Sequence, residues 1–224
     1  MTQNPAHLAG CELAYDFAEQ TGTTVYDLSG NNNNASVVGP TWTRTGSLGG
    51  ALKFDGVDDY CDAGAPANLD LPSALSIVAW IKLADYAPLQ RIITKWNPSG
   101  HQYGLWINDN EIQFGLNTTD NPDAFISTKG ANLTANQLYF VAATWNGNDV
   151  NIYLDGKLLS TAVITGTIDV TGEKVYLGAN VDANAEYLNG LICAVRIFSR
   201  ALKSVEVLQM YNYVKQSAQV VKVI

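Results

Sequence analysis

Three two-residue turn signals cut this chain into pieces that suit strands and little else. Asp109-Asn110, Asn146-Gly147 and Asp155-Gly156 each separate two short runs rich in β-branched and aromatic residues, and such pairs tolerate the positive φ that a tight hairpin requires. Residues 103–108 and 111–116 flank the first pair. Residues 139–145, 150–154 and 158–163 flank the other two, which predicts a three-stranded meander. Within residues 75–83, Ile77, Ala79 and Ile81 alternate with Val78 and Trp80, the period-two pattern of a strand. Residues 174–179 and 191–198 read as late strands. One segment reads as a helix: Leu202, Val205, Leu208 and Tyr211 recur every third residue as a docking stripe, with Ser204 placed to cap it. The β-prone end, Val220 to Ile224, is expected to form a last strand or an arm for another subunit, and Asn31 to Asn34 reads as a loop.

With 224 residues the chain can bury one good core, and all-β sandwiches of this length are often single domains. Apolar residues make up 47% and charged residues 15%, so the composition is globular. A net charge of −8 repels phosphate backbones and anionic lipid, which argues against nucleic acid and peripheral membrane binding and leaves neutral or cationic partners, and the lack of an apolar run of about 18 residues argues against membrane insertion. The N-terminus, Met1 to Leu8, lacks the basic and apolar regions of a secretory signal. The expectation is either an extracellular module whose signal has been removed or a chain made in the cytoplasm and carried on a virion. Cys11, Cys61 and Cys193 are widely spaced and make no C-x-x-C pair. They read as buried free thiols, or as one disulfide and a spare thiol.

Several segments together resemble the laminin G-like modules of the concanavalin A-like lectin and glucanase superfamily, in its bacterial and phage branch. Asp27-Leu-Ser-Gly-Asn-Asn-Asn-Asn-Ala is similar to that family's D-x-S-G-N-x-N-x-G loop, and Gly49 to Tyr60, GGALKFDGVDDY, to its most recognisable stretch. SIVAWIK from Ser76, FVAATW from Phe140, VNIYLDG from Val150 and NGLICAVRIFSRAL from Asn189 follow in family order. The resemblance runs from about Leu13 to Tyr211. It implies an all-β, concanavalin A-like jelly-roll sandwich of two antiparallel sheets with one short C-terminal helix, spanning residues 11–214 between tails at 1–10 and 215–224. Beside that resemblance, Phe54 and Tyr60 are expected to plug the core, with Asp55 and Gly56 making a tight turn.

Glycoside hydrolases of this superfamily carry an E-x-D-x-x-E strand whose alternating carboxylates share one face. The six glutamates, Glu12, Glu19, Glu111, Glu173, Glu186 and Glu206, fall in different segments without that spacing. Asp182 and Glu186 share a loop, where such a pair is expected to stay solvated. There is no G-x-S-x-G elbow, and His7 and His101 are the only histidines, His101 following a Pro-Ser-Gly segment. The chain is therefore expected not to be an enzyme.

Sugars are held by aromatic platforms combined with Asn, Asp and Gln side chains. Trp96, Tyr103 and Trp106 are the aromatic candidates, and Asn108, Asn117, Asn180 and Asp182 the polar ones. Trp106 has opposite parity to Tyr103, Leu105 and Ile107, so only one of those faces belongs to the core. The resemblance also implies a structural calcium joining first and last strands. Its usual acidic positions are here Ala18 and Cys193, leaving Glu19, Asp27 or Asp55. The expectation is no cofactor, or at most a weak calcium. If those strands are neighbours, Cys11 and Cys193 become a candidate disulfide. The favoured function is lectin-like carbohydrate binding and adhesion, with a glycan or cell-surface polysaccharide as partner. The alternative is a structural virion part, such as a phage capsid decoration or tail adhesion protein, with virion proteins as partners and a homo-oligomeric state.

Overall fold

A computed structural model describes residues 8–45, 49–86, 89–97, 100–181 and 186–220. The first strands are β1 (Cys11–Tyr15), β2 (Thr24–Val25), β3 (Ala35–Val38), β4 (Thr41–Thr45), β5 (Gly49–Asp55) and β6 (Tyr60–Asp62). After a 3-10 turn at Ala67–Leu69 come β7 (Leu75–Leu83), β8 (Gln90–Asn97), β9 (Gly100–Asn108), β10 (Glu111–Leu116) and β11 (Ala124–Ser127). The last are β12 (Leu138–Trp145), β13 (Asp149–Leu154), β14 (Lys157–Val163), β15 (Tyr176–Leu177), β16 (Asn189–Phe198) and the helix α1 (Ser204–Val220).

The turn chemistry works as the sequence implies. Asp155 and Gly156 both take positive φ, 50° and 78°, and join β13 to β14, while β12, β13 and β14 form the expected meander. Pairing then builds two antiparallel eight-stranded sheets. Sheet 1 runs β14-β13-β12-β7-β16-β5-β4, with β1 also on β16, and sheet 2 runs β11-β10-β9-β8-β15-β6-β3-β2. The sandwich forks at β16, whose first half pairs with β5 (Ile192 opposite Leu52) and whose second half pairs with β1 (Val195 opposite Tyr15). Arg196 locks this fork by donating to the carbonyl of Tyr15 and to the carboxylate of Asp16. This is the jelly-roll sandwich with a C-terminal helix that the sequence predicts.

Both faces of β7 are buried, for different reasons. Ile77, Ala79 and Ile81 enter the core between the sheets with Leu13, Phe54, Phe114 and Trp145. Val78 and Trp80 point outward, where Phe140, Val207 and Met210 join them under α1. Tyr211 completes the cover by stacking on Trp80, with ring centroids 5.7 Å apart and planes 14° from parallel.

The helix departs from the sequence reading in three ways. Val207, Met210 and Tyr211 face the sheet, whereas Val205 and Leu208 remain exposed. The rotation is set before the first turn, because the Leu202 amide donates to Ser76 Oγ, and that hydroxyl donates to the Arg200 carbonyl. The cap is Glu206, not Ser204: its carboxylate accepts the Lys203 amide and a two-pronged bond from Arg200. The helix also continues through residues 215–220, expected to be a tail or strand, since Lys, Gln and Ala there are good helix formers. Residues 221–224 of that expected strand or arm, and 1–7 of the expected N-terminal tail, lie outside the described residues.

Two smaller readings also change. The late strand expected over 174–179 is paired only at Tyr176–Leu177, and Tyr60 is half-buried against Tyr176 rather than in the core.

Cys11, Cys61 and Cys193 are all free and buried. The candidate pair Cys11 and Cys193 does sit on neighbouring strands, but Cys11 lies opposite Phe198, five residues along β16 from Cys193. At about 3.3 Å per residue that is far beyond disulfide reach. Burial pushes Cys11 up to about 11 and Cys193 up to about 12, and raises Cys61 as well. A raised pKa keeps the thiols protonated at neutral pH, so a disulfide-exchange reagent should find none reactive in the native protein at pH 8. Denaturation without reductant should expose all three. Finding one titratable thiol after denaturation would contradict this account.

Candidate functional site

β9 settles which aromatics belong to the core. Tyr103, Leu105 and Ile107 point between the sheets, and Trp106 points outward from sheet 2. Under Trp106 the strands carry no side chains, because Gly104 lies opposite Gly115 across the β9–β10 pair. A Cβ on Gly115 would stand 2.2 Å from Cη2 of Trp106, and one on Gly104 3.1 Å from its Cζ3. These two glycines let the indole lie down on the sheet. Trp106 Nε1 donates to Gln113 Oε1 at 2.7 Å, and the Arg91 guanidinium sits 4.1 Å from the ring centroid, a cation–π arrangement.

Arg91 is held there by Glu186, with Nε to Oε2 at 2.6 Å, and Asn180 Nδ2 donates to the same oxygen. Burial draws the Arg91 pKa down, and the bond to Glu186 opposes this. Arg91 Nη1 and Asn180 Oδ1 are buried with no hydrogen-bond partner among the described residues.

Trp96 meets Trp106 edge-on, with centroids 5.7 Å apart, and stacks flat on His101 at 4.5 Å and 13°. A register shift after Lys95 brings Trp96 opposite His101 and so onto the outward side. His101 Nδ1 meets Asp123 Oδ1 at 2.5 Å, and these two side chains are 30% and 60% exposed. Asn117 latches the pair, donating to the His101 carbonyl and accepting the Asp123 amide. The result is a continuous outward ledge: Asp123, His101, Trp96, Trp106, Arg91 and Glu186. It offers the half-buried, stacked rings of Trp96 and His101 and a carboxylate at one end and a largely buried ion pair at the other. That suits binding a flat-faced, hydroxyl-rich ligand.

Of the residues singled out from sequence, Trp96 and Trp106 meet in this ledge, with Asn117 and Asn180 supporting its two ends. Tyr103 does not belong: it is fully buried, its hydroxyl donates to the Leu69 carbonyl, and burial raises its pKa. Asn108 stands at the opposite end of β9 from His101. Asp182 lies outside the described residues. Glu186, expected to be solvated, is instead the partner of Arg91. His101, expected in a loop, stands in β9. Arg91, Gln113 and Asp123 were not singled out. The two glycines inside predicted strands were the available signal that an aromatic ring lies across them.

Some of the oxygen atoms that the resemblance offers a calcium serve turns, while Glu19 Oε2 is buried with no hydrogen-bond partner among the described residues and the carboxylates of Asp55, Asp58 and Asp59 lie within 4.8 Å of one another. Asp27 accepts the amides of Ala14, Ser29 and Asn33 and the hydroxyl of Ser29, and Glu19 Oε1 accepts the Tyr26 amide. Asp55 accepts the Val57 amide, and neighbouring Asp59 accepts the Asp55 amide. These carboxylates build turns.

Residues 55–208 match the laminin G-type model of the concanavalin A-like lectin/glucanases superfamily. The chain belongs to this superfamily. No curated protein matches this concanavalin A-like module. Among solved structures, the binding domain of Paraclostridial Mosquitocidal Protein 1 superimposes with TM-score 0.75 at 15% identity, covering 91% of this module and 52% of that chain. The binding domain of botulinum neurotoxin DC in complex with SialylT gives TM-score 0.70 at 19% identity, covering 92% and 51%. A botulinum neurotoxin type C structure, titled for cell entry dependent on interaction with two ganglioside molecules, gives 0.68 at 18%, covering 92% and 51%. At these identities the likeness concerns the fold, and the module spans about half the length of each of these chains.

Proposed function

We propose that this module is a non-catalytic, lectin-like adhesion domain that binds a glycan on the outward ledge of sheet 2. The observation that carries the reading is the stack of Trp96 on His101 beside the Asp123 carboxylate. The accessible part of such a ring stack packs against the C–H face of a sugar ring, and a neighbouring carboxylate accepts its hydroxyls. The neurotoxin structures named for SialylT and gangliosides support a glycan as the ligand class for this architecture. The non-catalytic reading is supported by where the acidic groups go. Glu186, Asp70, Asp16 and Glu206 each pair with a cation, and the thiols are buried.

A glycan array run with and without chelator tests this. Binding to a defined subset, unchanged by chelator, is expected because the ledge offers the sugar an aromatic ring and a carboxylate already paired with His101. Silence on every glycan would overturn the reading, and chelator-sensitive binding would overturn its metal-free part.

A structural, self-associating role such as that of a virion component is the second reading. In its favour, edge strand β14 exposes Leu158, Leu159 and Val163, beside Leu208 and Val205 of α1. An exposed apolar edge is a template for pairing with another chain. Sedimentation of the purified protein separates the two: a discrete oligomer broken by Leu159→Lys supports assembly, and a monomer at all concentrations removes it.

A further inference from the structure

The opposite face of the sandwich carries a second feature that the ledge does not explain. On the outer side of sheet 1, α1 covers Val78, Trp80 and Phe140. Further along the same strands lies an open cleft of 270 Å³ lined by Thr43, Lys53, Lys82, Asn136, Asn189 and Leu191, among others. That volume holds about nine waters, the size of one sugar unit. Leu191 forms its floor, and register places one lysine on each side: Lys82 opposite Leu191 on β7, and Lys53 opposite Leu191 on β5. Residues in register on adjacent strands share a face, so both ammonium groups rise from the same side. Gly190 lets β16 approach the β7 backbone here, since a Cβ there would stand 2.4 Å from the Lys82 carbonyl.

The charge of this cleft runs against that of the chain. The protein carries eight more acidic than basic side chains, and Lys95, Lys174, Arg91, Arg196 and Arg200 are paired with carboxylates. Lys53 and Lys82 have no carboxylate within ion-pair distance among the described residues. Two acids lie near these strand ends, Asp55 on β5 and Asp85 two residues past β7, and the neutral amides they accept leave their charges in place. Asp85 accepts from the side-chain amides of Asn189 and Gln90, and Asp55 accepts the Val57 amide. Two lysines without an ion-pair partner among the described residues, around a small apolar floor rimmed by Thr43, Asn136 and Asn189, form a receptor for an anion attached to a hydroxyl-bearing body.

We propose that this cleft binds the acidic unit of an anionic oligosaccharide, its carboxylate or sulfate lying between Lys53 and Lys82. The anion chemistry stands on the two lysines alone, and the saccharide identity rests on the glycan reading above. Two charge-assisted contacts in a partly desolvated cleft amount to about a tenfold change in affinity or more.

The test is a calorimetric titration with 3′-sialyllactose, 3′-sulfolactose and lactose against wild type, Lys53→Met/Lys82→Met and Trp96→Ala. The methionines keep the aliphatic stems and remove the charges. Expected is binding of at least one acidic sugar, weakened about tenfold or more in the double methionine variant and by added salt, with Trp96→Ala retaining this lysine-dependent binding. Which acidic sugar binds tells carboxylate from sulfate. Backbone amide shifts of Lys53, Lys82 and Gly190 in the wild type provide a readout that needs no variant. Equal binding by wild type and double methionine variant, no preference over lactose, or shifts confined to Trp96 and His101 would each overturn the proposal. Loss of all binding in Trp96→Ala with these lysine amides unmoved would also overturn it while leaving the sheet 2 ledge intact.

Discussion

Trp145→Ala should lower stability by about 3–5 kcal/mol, the usual range for deleting a fully buried large aromatic. Trp145 closes β12, where it pairs with Val150 and Leu75, and its side chain lies wholly within the core between the sheets. Its Nε1 donates to the Ile164 carbonyl at 2.7 Å, so the alanine leaves both a cavity and a buried carbonyl without its donor. For a chain of this size the loss corresponds to a melting temperature lower by roughly 6–20 °C. Trp145→Phe keeps most of the volume and loses the hydrogen bond, so it should cost distinctly less. Urea unfolding of the three proteins measures this directly. A loss under about 1 kcal/mol for alanine would mean that the indole does not bridge the two sheets.

Trp96→Ala should weaken glycan binding by about 30-fold, the effect of removing an aromatic anchor worth about 2 kcal/mol. The same substitution should cost little stability, because Trp96 is only half-buried. Tyr103→Phe is the contrasting variant. It removes a buried hydroxyl that bonds to the Leu69 carbonyl, so it should cost stability, yet it faces away from the ledge and should leave affinity unchanged. Affinities measured on the best glycan from the array decide the matter. Equal losses for both variants would place the ligand elsewhere, as would no loss for Trp96→Ala.

These contrasts show which parts of the molecule its sequence made legible. Asp155-Gly156 announces its hairpin because few pairs tolerate two positive φ angles, and the alternation in β7 announces both of its faces. Such local signals give an all-β chain, and the family resemblance adds that it is a jelly-roll sandwich. The face of β9 that becomes the core is not a local property: parity separates Tyr103 from Trp106 but does not say which one a second sheet will cover. Arg91 and Glu186 lie 95 positions apart, and nothing in either segment announces the other. The cysteine question fails for the same reason, since Cys11 and Cys193 do occupy neighbouring strands and only the register separates them. The predicted stripe of Leu202, Val205, Leu208 and Tyr211 misses the helix rotation because the anchoring of Leu202 by Ser76, 126 positions away, turns Val207 and Met210 to the sheet instead.

Five tryptophans, Trp42, Trp80, Trp96, Trp106 and Trp145, give five indole N–H signals spread over both sheets. A nitrogen-labelled indole spectrum, titrated with the best neutral glycan from the array, therefore reports where a sugar lands. Glycan binding on the sheet 2 ledge predicts saturable shifts at Trp96 and Trp106 with Trp42, Trp80 and Trp145 unmoved. Shifts at Trp42 or Trp80 without Trp96, or no indole shift under saturating glycan, would contradict it.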